Sequence, residues 1–281
     1  PLPLTQNEIP CIGHAFESRI YAENPDKDFL PATGKLLHLS LPEESEYIRV
    51  DSGVRENDEI SVFYDPMIAK LITWGENRTI AAQTMNRALS ELHIAGIVTN
   101  CDFLKSVITH PGFLNEQVTT EFIETHKADL FNKPTPDKQT LLTAASLYIH
   151  SIVADKTNKQ TQATDPYSPW NNTDFWQLNG TQTTTFSLTQ RDIKHTFKAS
   201  SCCNNGYIIT YNNVEYEVNF SIQNNEINTL INGAKTTSSF FINNRLIKIF
   251  KVVSSYDFEL PNITHDSDEY QSEGSLLAPL H

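Results

Sequence analysis

Between residues 13 and 23 the side chains alternate with a period of two. His14, Phe16, Ser18, Ile20 and Ala22 fall on one face, and Glu17, Arg19, Tyr21 and Glu23 on the other. Successive side chains of a strand point to opposite sides, so the pattern predicts a strand with one buried and one polar face. Asn24-Pro25-Asp26 reads as a loop and Ala32-Thr33-Gly34 as a turn, with further strands over 35–40, 47–50, 60–64 and 71–74. At Asn77 the spacing becomes helical: Ile80, Ala81, Met85, Ala88, Leu89 and Leu92 share a stripe, and Asn77 is placed to cap it. Thr99-Asn100-Cys101-Asp102 resembles a capping box opening a second helix through Phe103, Leu104 and Val107. An amphipathic stretch over 120–126 leads to Lys133-Pro134-Thr135-Pro136, whose two prolines predict a domain boundary.

Beyond that boundary the chain changes character. Residues 137–155 are apolar on most sides (Leu141, Leu142, Ala145, Leu147, Ile149, Ile152, Val153), which predicts a helix that is largely enclosed. A polar linker over 156–165 precedes short strands separated by Asn204-Asn205-Gly206, Asn212-Asn213, Asn224-Asn225, Asn232-Gly233 and Asn243-Asn244. Asn and Gly tolerate the positive φ of tight hairpins. A turn every ten residues or so marks an all-β sandwich or barrel. The fold class is therefore α+β in the first region, with a long helix and an antiparallel barrel in the second. Pro261 ends the strands, and residues 264–275 read as an acidic tether.

Charge narrows the function. The 281 residues carry 34 acidic and 21 basic side chains, a formal charge of −13. Phosphate binding needs clustered Lys and Arg, so nucleic acid is not an expected partner. An anionic membrane surface is disfavoured on the same ground. No apolar run reaches the roughly 18–20 residues of a bilayer span, and no secretory leader pattern opens the sequence. Cys11 and Cys101 stand alone and Cys202-Cys203 are adjacent, a spacing that suits reduced thiols better than a disulfide framework or a zinc site. Phosphate-cradling glycine loops and the HExxH and GxSxG signatures are absent from the sequence.

Two stretches could carry chemistry. In Glu17-Ser18-Arg19-Ile20-Tyr21-Ala22-Glu23, acids flanking an arginine could hold a planar guanidinium toward an anion, although a charged strand face also simply meets water. In Tyr64-Asp65-Pro66-Met67, a carboxylate at a turn could brace that arginine, or merely close the turn. His14, on the apolar face, reads as a core histidine.

These stretches resemble a known family. Gly13-His14-Ala15-Phe16-Glu17-Ser18-Arg19-Ile20-Tyr21-Ala22-Glu23, Phe29-Leu30-Pro31 with Gly34-Lys35, Tyr64-Asp65-Pro66-Met67-Ile68-Ala69-Lys70-Leu71, and Thr99-Asn100 with Phe103-Leu104 follow the order of the carboxy-terminal part of biotin carboxylase, to about Phe131. The version here is most similar to the biotin-bearing α subunits of acyl-CoA carboxylases. The resemblance implies a ligase in which ATP, with Mg2+, activates bicarbonate and biotin is carboxylated at its ureido nitrogen. It assigns Arg19 to holding the ureido oxygen, with Glu17 and Asp65 as biotin-binding or supporting residues; a direct Arg19–Asp65 pairing is the expectation.

By the same resemblance, residues 1–133 are the distal part of the carboxylase domain. Residues 134–263 are a helix-plus-barrel module that docks the carboxyltransferase β subunit, with Asp165-Pro166-Tyr167-Ser168-Pro169-Trp170 ahead of the barrel. Residues 264–281, with Gly274-Ser275-Leu276-Leu277-Ala278-Pro279-Leu280, lead to the biotinyl domain. The acceptor lysine of the family lies between methionines, whereas Met67 precedes Ile68 and Met85 precedes Asn86, so no biotinylated lysine is expected here. The ATP-grasp motifs are not in this sequence, so the segment alone is expected to be inactive, with no ATP, biotin or metal of its own. Glu46 falls where the free-standing bacterial enzyme has an apolar dimer anchor, so that style of dimer is not implied. The expected compartment is a bacterial cytoplasm, with the mitochondrial matrix as alternative. Two rival readings are a purely non-catalytic assembly module and a barrel that binds a small apolar ligand.

Overall fold

The computed structural model describes residues 3–61, 63, 65–115, 118–161, 176–177, 180–181, 183–202 and 206–261. The alternating stretch forms the strand β1 (His14–Tyr21), followed by β2 (His38–Ser40), β3 (Ile48–Ser52), β4 (Met67–Gly75) and β5 (His93–Ala95). β4 pairs antiparallel with β1 on one side and β3 on the other, and β2 pairs with β5. Directly paired residues share a face. Phe16, Thr73 and Ile48 therefore lie on the inner face, as do Ser18, Leu71 and Val50, and Ile20 with Ala69. The helices α1 (Arg78–Glu91) and α2 (Cys101–Thr109) complete this unit. Ile20, Ile68, Leu71, Met85 and Leu89 are fully or almost fully buried within one core. Asn77 caps α1 as its position predicts, its Oδ1 accepting the Ile80 N–H at 3.0 Å.

Three local expectations are corrected. Of the described residues over 60–64, only Ile60 is in a strand, within Glu59–Ile60; β4 instead starts at Met67, where the Asp65 carboxylate accepts the Met67 N–H at 3.2 Å and turns the chain. The strand over 35–40 splits into Gly34–Lys35 and His38–Ser40, each with a different partner. Asn100 begins α2 but makes no capping bond with its side chain, which is spent elsewhere.

The second unit is built around a helix rather than beside one. α3 (Lys138–Thr161) opens on Asp137, whose carboxylate accepts the Thr140 N–H at 2.7 Å. Every residue from Thr140 to Ile149 is buried. Eight strands surround the helix: β6 (Thr183–Gln190), β7 (Ile193–Cys202), β8 (Gly206–Tyr211), β9 (Val214–Gln223), β10 (Glu226–Ile231), β11 (Ala234–Ile242), β12 (Leu246–Phe250) and β13 (Ser255–Glu259). Each is antiparallel to its neighbour, and Thr189 opposite Glu259 closes the ring. Leu142, Leu147 and Ile149 share one core with the inward Leu188, Phe197 and Phe258. A helix that is apolar all round needs a wall on every side, and the barrel supplies it. Its polar members are satisfied within the helix: Thr143 and Ser146 donate to the Gln139 and Leu142 carbonyls, both at 2.8 Å.

The turn chemistry matches the asparagine pattern. Asn212, Asn213, Asn224, Asn225, Asn232 and Gly233 all take positive φ. Asn243 acts differently: its side-chain oxygen accepts the Arg245 and Leu246 N–H groups, both at 2.8 Å. The Asp165–Trp170 element and residues 264–281 lie outside the described residues. Among the described residues, no helix is long and apolar enough to cross a membrane.

The two units meet along the hairpin between β12 and β13. Lys105 donates to the Lys251 carbonyl at 3.4 Å, and the Ser90 hydroxyl donates to the Val252 carbonyl at 3.1 Å. The Asp102 carboxylate accepts from the Ser254 hydroxyl (2.9 Å), the Ser255 N–H (3.1 Å) and the Ser255 hydroxyl (3.2 Å). Lys105 is nearly buried and lies 3.8 Å from Asp102. By alternation with inward Ile247 and Ile249, Phe250 points away from the barrel core, yet it is only 8% exposed because the His93 ring stacks on it at 4.4 Å. His38 stacks on Phe241 beside it.

Two outcomes follow. Asp102→Ala removes the acceptor of the hairpin and leaves Lys105 buried without its counter-charge, so urea unfolding should show a loss of about 2–3 kcal/mol. An unchanged midpoint would contradict the seam. Burial lowers the His93 pKa from 6.5 to about 4, with His38 and Lys105 adding to the effect. The unfolded chain therefore takes up this proton first, and stability held above pH 6.5 is lost as pH falls toward 4. His93→Phe should flatten that part of the pH dependence; identical slopes for the two proteins would rule the effect out.

Candidate functional site

The outer face of the β1-β4-β3 sheet carries the charged row. Register places Ala15 beside Trp74, then Glu17 beside Ile72 and Arg49, then Arg19 beside Lys70 and Asp51. Trp74 stacks on Tyr47 at one end, their rings nearly parallel and 6.0 Å apart. The face thus grades from aromatic to ionic along β1.

Arg19 is 59% exposed, and its Nε donates to Glu17 at 3.5 Å. Favourable contact with the Tyr21 side chain, and then with the Glu17 carboxylate, raises the Arg19 pKa above its ordinary value. The guanidinium stays charged and keeps N–H groups free for a planar anion. Across the strand pair, Lys70 is held 3.8 Å from Asp51, and Arg49 forms two bonds to the same carboxylate, at 2.9 and 3.1 Å. Those bonds hold the Asp51 carboxyl below its usual range, the Arg49 bond first. Lys70, Arg49 and Asp51 were not singled out by sequence reading. The signal that finds them is the β1-β4-β3 register, which places Lys70 and Asp51 level with Arg19.

The structure joins Arg19 to Glu17 and does not join it to Asp65. Among the described residues, Asp65 closes its own turn at Met67 and lies near Glu23, whose pKa is raised by burial and then by the Asp65 charge. β1 and β4 stay paired past a register shift between Ile20 and Tyr21, with Tyr21 opposite Met67 and the Ala22 N–H on the Pro66 carbonyl at 2.9 Å, so the side chains level with Arg19 are Lys70 and Asp51 rather than Asp65. Tyr64 lies outside the described residues. His14 behaves as a satisfied interior histidine: its Nε2 is 3.2 Å from Arg78, whose guanidinium sits 5.0 Å from the rings of both Phe16 and Phe113.

A second cluster, His110, His126 and Asp129, brings three metal-capable side chains together. His110 Nδ1, however, accepts the Gly112 N–H at 3.1 Å and caps the short helix Pro111–Leu114. That bond puts the proton of a neutral ring on Nε2, which lies 3.8 Å from Asp129. A ligating Nε2 would need the opposite tautomer, so the cluster reads as a helix cap with a carboxylate beside it. The cleft of about 480 Å3 between the units is similarly self-satisfied, with Lys133 paired to Asp26 and Lys248 to Asp257.

Comparison with known proteins gives the class first. Residues 17–125 match the family described as biotin carboxylase C-terminal domain. At the level of single proteins, the chain is 36% identical over 302 residues to the mitochondrial methylcrotonoyl-CoA carboxylase subunit alpha of Dictyostelium discoideum, covering 99% of this chain and 41% of that protein. The same subunit of Glycine max is 51% identical over 130 residues, 46% of this chain and 18% of that protein. A crystal structure of the biotin carboxylase subunit of pyruvate carboxylase is 32% identical, with a TM-score of 0.46 over 48% of this chain and 30% of that one. The chain thus spans about two fifths of the Dictyostelium protein.

The capping assignment has a direct check. His110→Ala should cost about 1 kcal/mol, as loss of a helix cap does. Adding Zn2+ should leave the melting temperature of the unsubstituted protein unchanged; a rise of several degrees that vanishes in His126→Ala would contradict it.

Proposed function

We propose that this chain is the distal part of the biotin carboxylase domain, together with the subunit-docking module, of an acyl-CoA carboxylase α subunit acting on 3-methylcrotonyl-CoA. The reading is carried by Arg19: it stands in the motif His14-Ala15-Phe16-Glu17-Ser18-Arg19 of a biotin carboxylase C-terminal domain, on an exposed sheet face with its guanidinium uncommitted to any carboxylate but Glu17. The α subunits of propionyl-CoA, acetyl-CoA or geranyl-CoA carboxylases are the runners-up. The likeness to methylcrotonoyl-CoA carboxylase over 99% of the chain favours the first, while the propionyl-CoA carboxylase alpha chain of Caenorhabditis elegans matches over 44%.

Residues present here fit biotin in one respect. Arg19 offers a planar fork of N–H donors on open surface, the geometry a ureido oxygen requires. Biotin, when bound, supplies the ureido nitrogen that takes up the carboxyl group. Arg19 holds the ureido oxygen as negative charge gathers on it, electrostatic stabilisation that is already in place before reaction. Glu17 keeps the guanidinium aimed outward, and Tyr21 keeps it charged. Asp65 supports this end of the sheet by closing the turn into β4 rather than by gripping Arg19. ATP and Mg2+ belong to the ATP-grasp core, for which this sequence has no motif.

We divide the chain at 1–133, 134–263 and 264–281. The first segment presents Arg19. The second docks the carboxyltransferase β subunit, and the third leads to the biotinyl domain that carries the biotin. A barrel whose interior is occupied by α3 leaves no room for a small apolar ligand, which argues against that rival. The relatives named as mitochondrial favour the matrix over a bacterial cytoplasm.

In the full-length subunit, Arg19→Gln should lower carboxylation of free biotin by roughly 10²–10³, the usual effect of removing one such donor. Undiminished carboxylation would sink the assignment. The segment 134–263, within the intact subunit, should be required to capture the carboxyltransferase subunit at micromolar concentration; capture by a subunit lacking it would refute the docking role.

A further inference from the structure

The strand that carries Arg19 has a free edge. β1 is the edge of its sheet, paired with β4 on one side only, and the Arg19 and Tyr21 backbone groups that point away from β4 need other partners. A single residue supplies them. The Asn100 carboxamide accepts the Tyr21 N–H at 3.0 Å through Oδ1 and donates to the Arg19 carbonyl at 3.1 Å through Nδ2. The Asn100 N–H also donates to the Tyr21 carbonyl, at 3.2 Å. Asn100 is 5% exposed and lies 79 residues from Tyr21 in sequence.

We propose that Asn100 is a positioning residue for Arg19. It takes the place of a neighbouring strand along the edge of β1 that faces away from β4, and so fixes the φ and ψ of the residues that aim the guanidinium. An asparagine is suited to this because one side chain offers both a donor and an acceptor in a single plane, matching the N–H and C=O edge of a strand. The cost of spending it there is visible in α2, whose N-cap is Asn100 rather than the Thr99 of the expected capping box, and which has no side-chain cap. The choice of Asn over a better-capping Asp is then explained: a carboxylate could accept from Tyr21 but would face the Arg19 carbonyl with no proton to donate. Since Arg19 is exposed and held by only one carboxylate, its direction depends on its backbone more than on its side-chain contacts.

The inference rests on the proposed role of Arg19, and the test separates the two. In the full-length subunit, free-biotin carboxylation is measured for Asn100→Leu, Asn100→Asp, Arg19→Gln and the Arg19→Gln/Asn100→Leu double variant. Asn100→Leu and Asn100→Asp should each lower kcat about tenfold, less than removal of the donor itself, with the KM for ATP unchanged. The double variant should be no slower than Arg19→Gln alone, because Asn100 acts only through Arg19. Multiplicative losses in the double variant, or an unaltered kcat in both Asn100 variants, would overturn the proposal. Should Asn100→Leu fail to fold, Asn100→Asp, which keeps the acceptor, carries the comparison through its own double with Arg19→Gln. If Arg19→Gln itself is as active as the unsubstituted subunit, the assignment of Arg19 has failed, whatever the Asn100 variants do.

Discussion

The first turn of α2 is the constraint on which the rest of the structure depends. Within six residues it satisfies the free edge of β1 through Asn100 and seats the barrel hairpin through Asp102 and Lys105. None of these partners can be met by water without loss, because Asn100 and Lys105 are nearly buried. The helix therefore cannot move toward one unit without leaving unpaired groups in the other. The charged sheet face and the barrel inherit their relative placement from that turn.

The barrel answers a different physical demand. Isolated, α3 would expose apolar side chains around its whole circumference, and an empty eight-stranded ring would lack a core. Each solves the problem of the other, and the buried hydroxyls of Thr143 and Ser146 bond back to the helix, so neither of these two is stranded. This leaves the outside of the barrel as the surface on which partners are met. The outward Phe241 and Phe250 show how one patch of it is used, by stacking on the two histidines of the first unit.

Much of this was legible along the chain, for reasons of distance. The period of two in β1, the cap at Asn77, the helix that is apolar all round and the positive-φ asparagines are all encoded within a few residues of where they act. What local pattern could not show was long-range. Asn100 reads as an inner position of a Thr99–Asp102 capping box, and only the fold reveals a strand edge 79 residues earlier that takes its side chain. Arg19–Asp65 pairing failed for a similar reason, since the pairing of separate strands sets Lys70 and Asp51 beside Arg19 while Asp65 accepts the Met67 N–H of its own turn. Phe250 would be assigned to solvent by its parity, and His93 lies 157 residues away from it in the numbering.

Amide hydrogen exchange in the full-length subunit tests the shared seat most directly. The Tyr21 and Ser255 amides have side chains of the same helical turn, Asn100 and Asp102, as their acceptors. If that turn holds both units, the two amides should be protected to a similar extent and should lose protection together, with the amides of α2, as denaturant is raised. Either amide exchanging freely while the other stays protected would contradict a common seat.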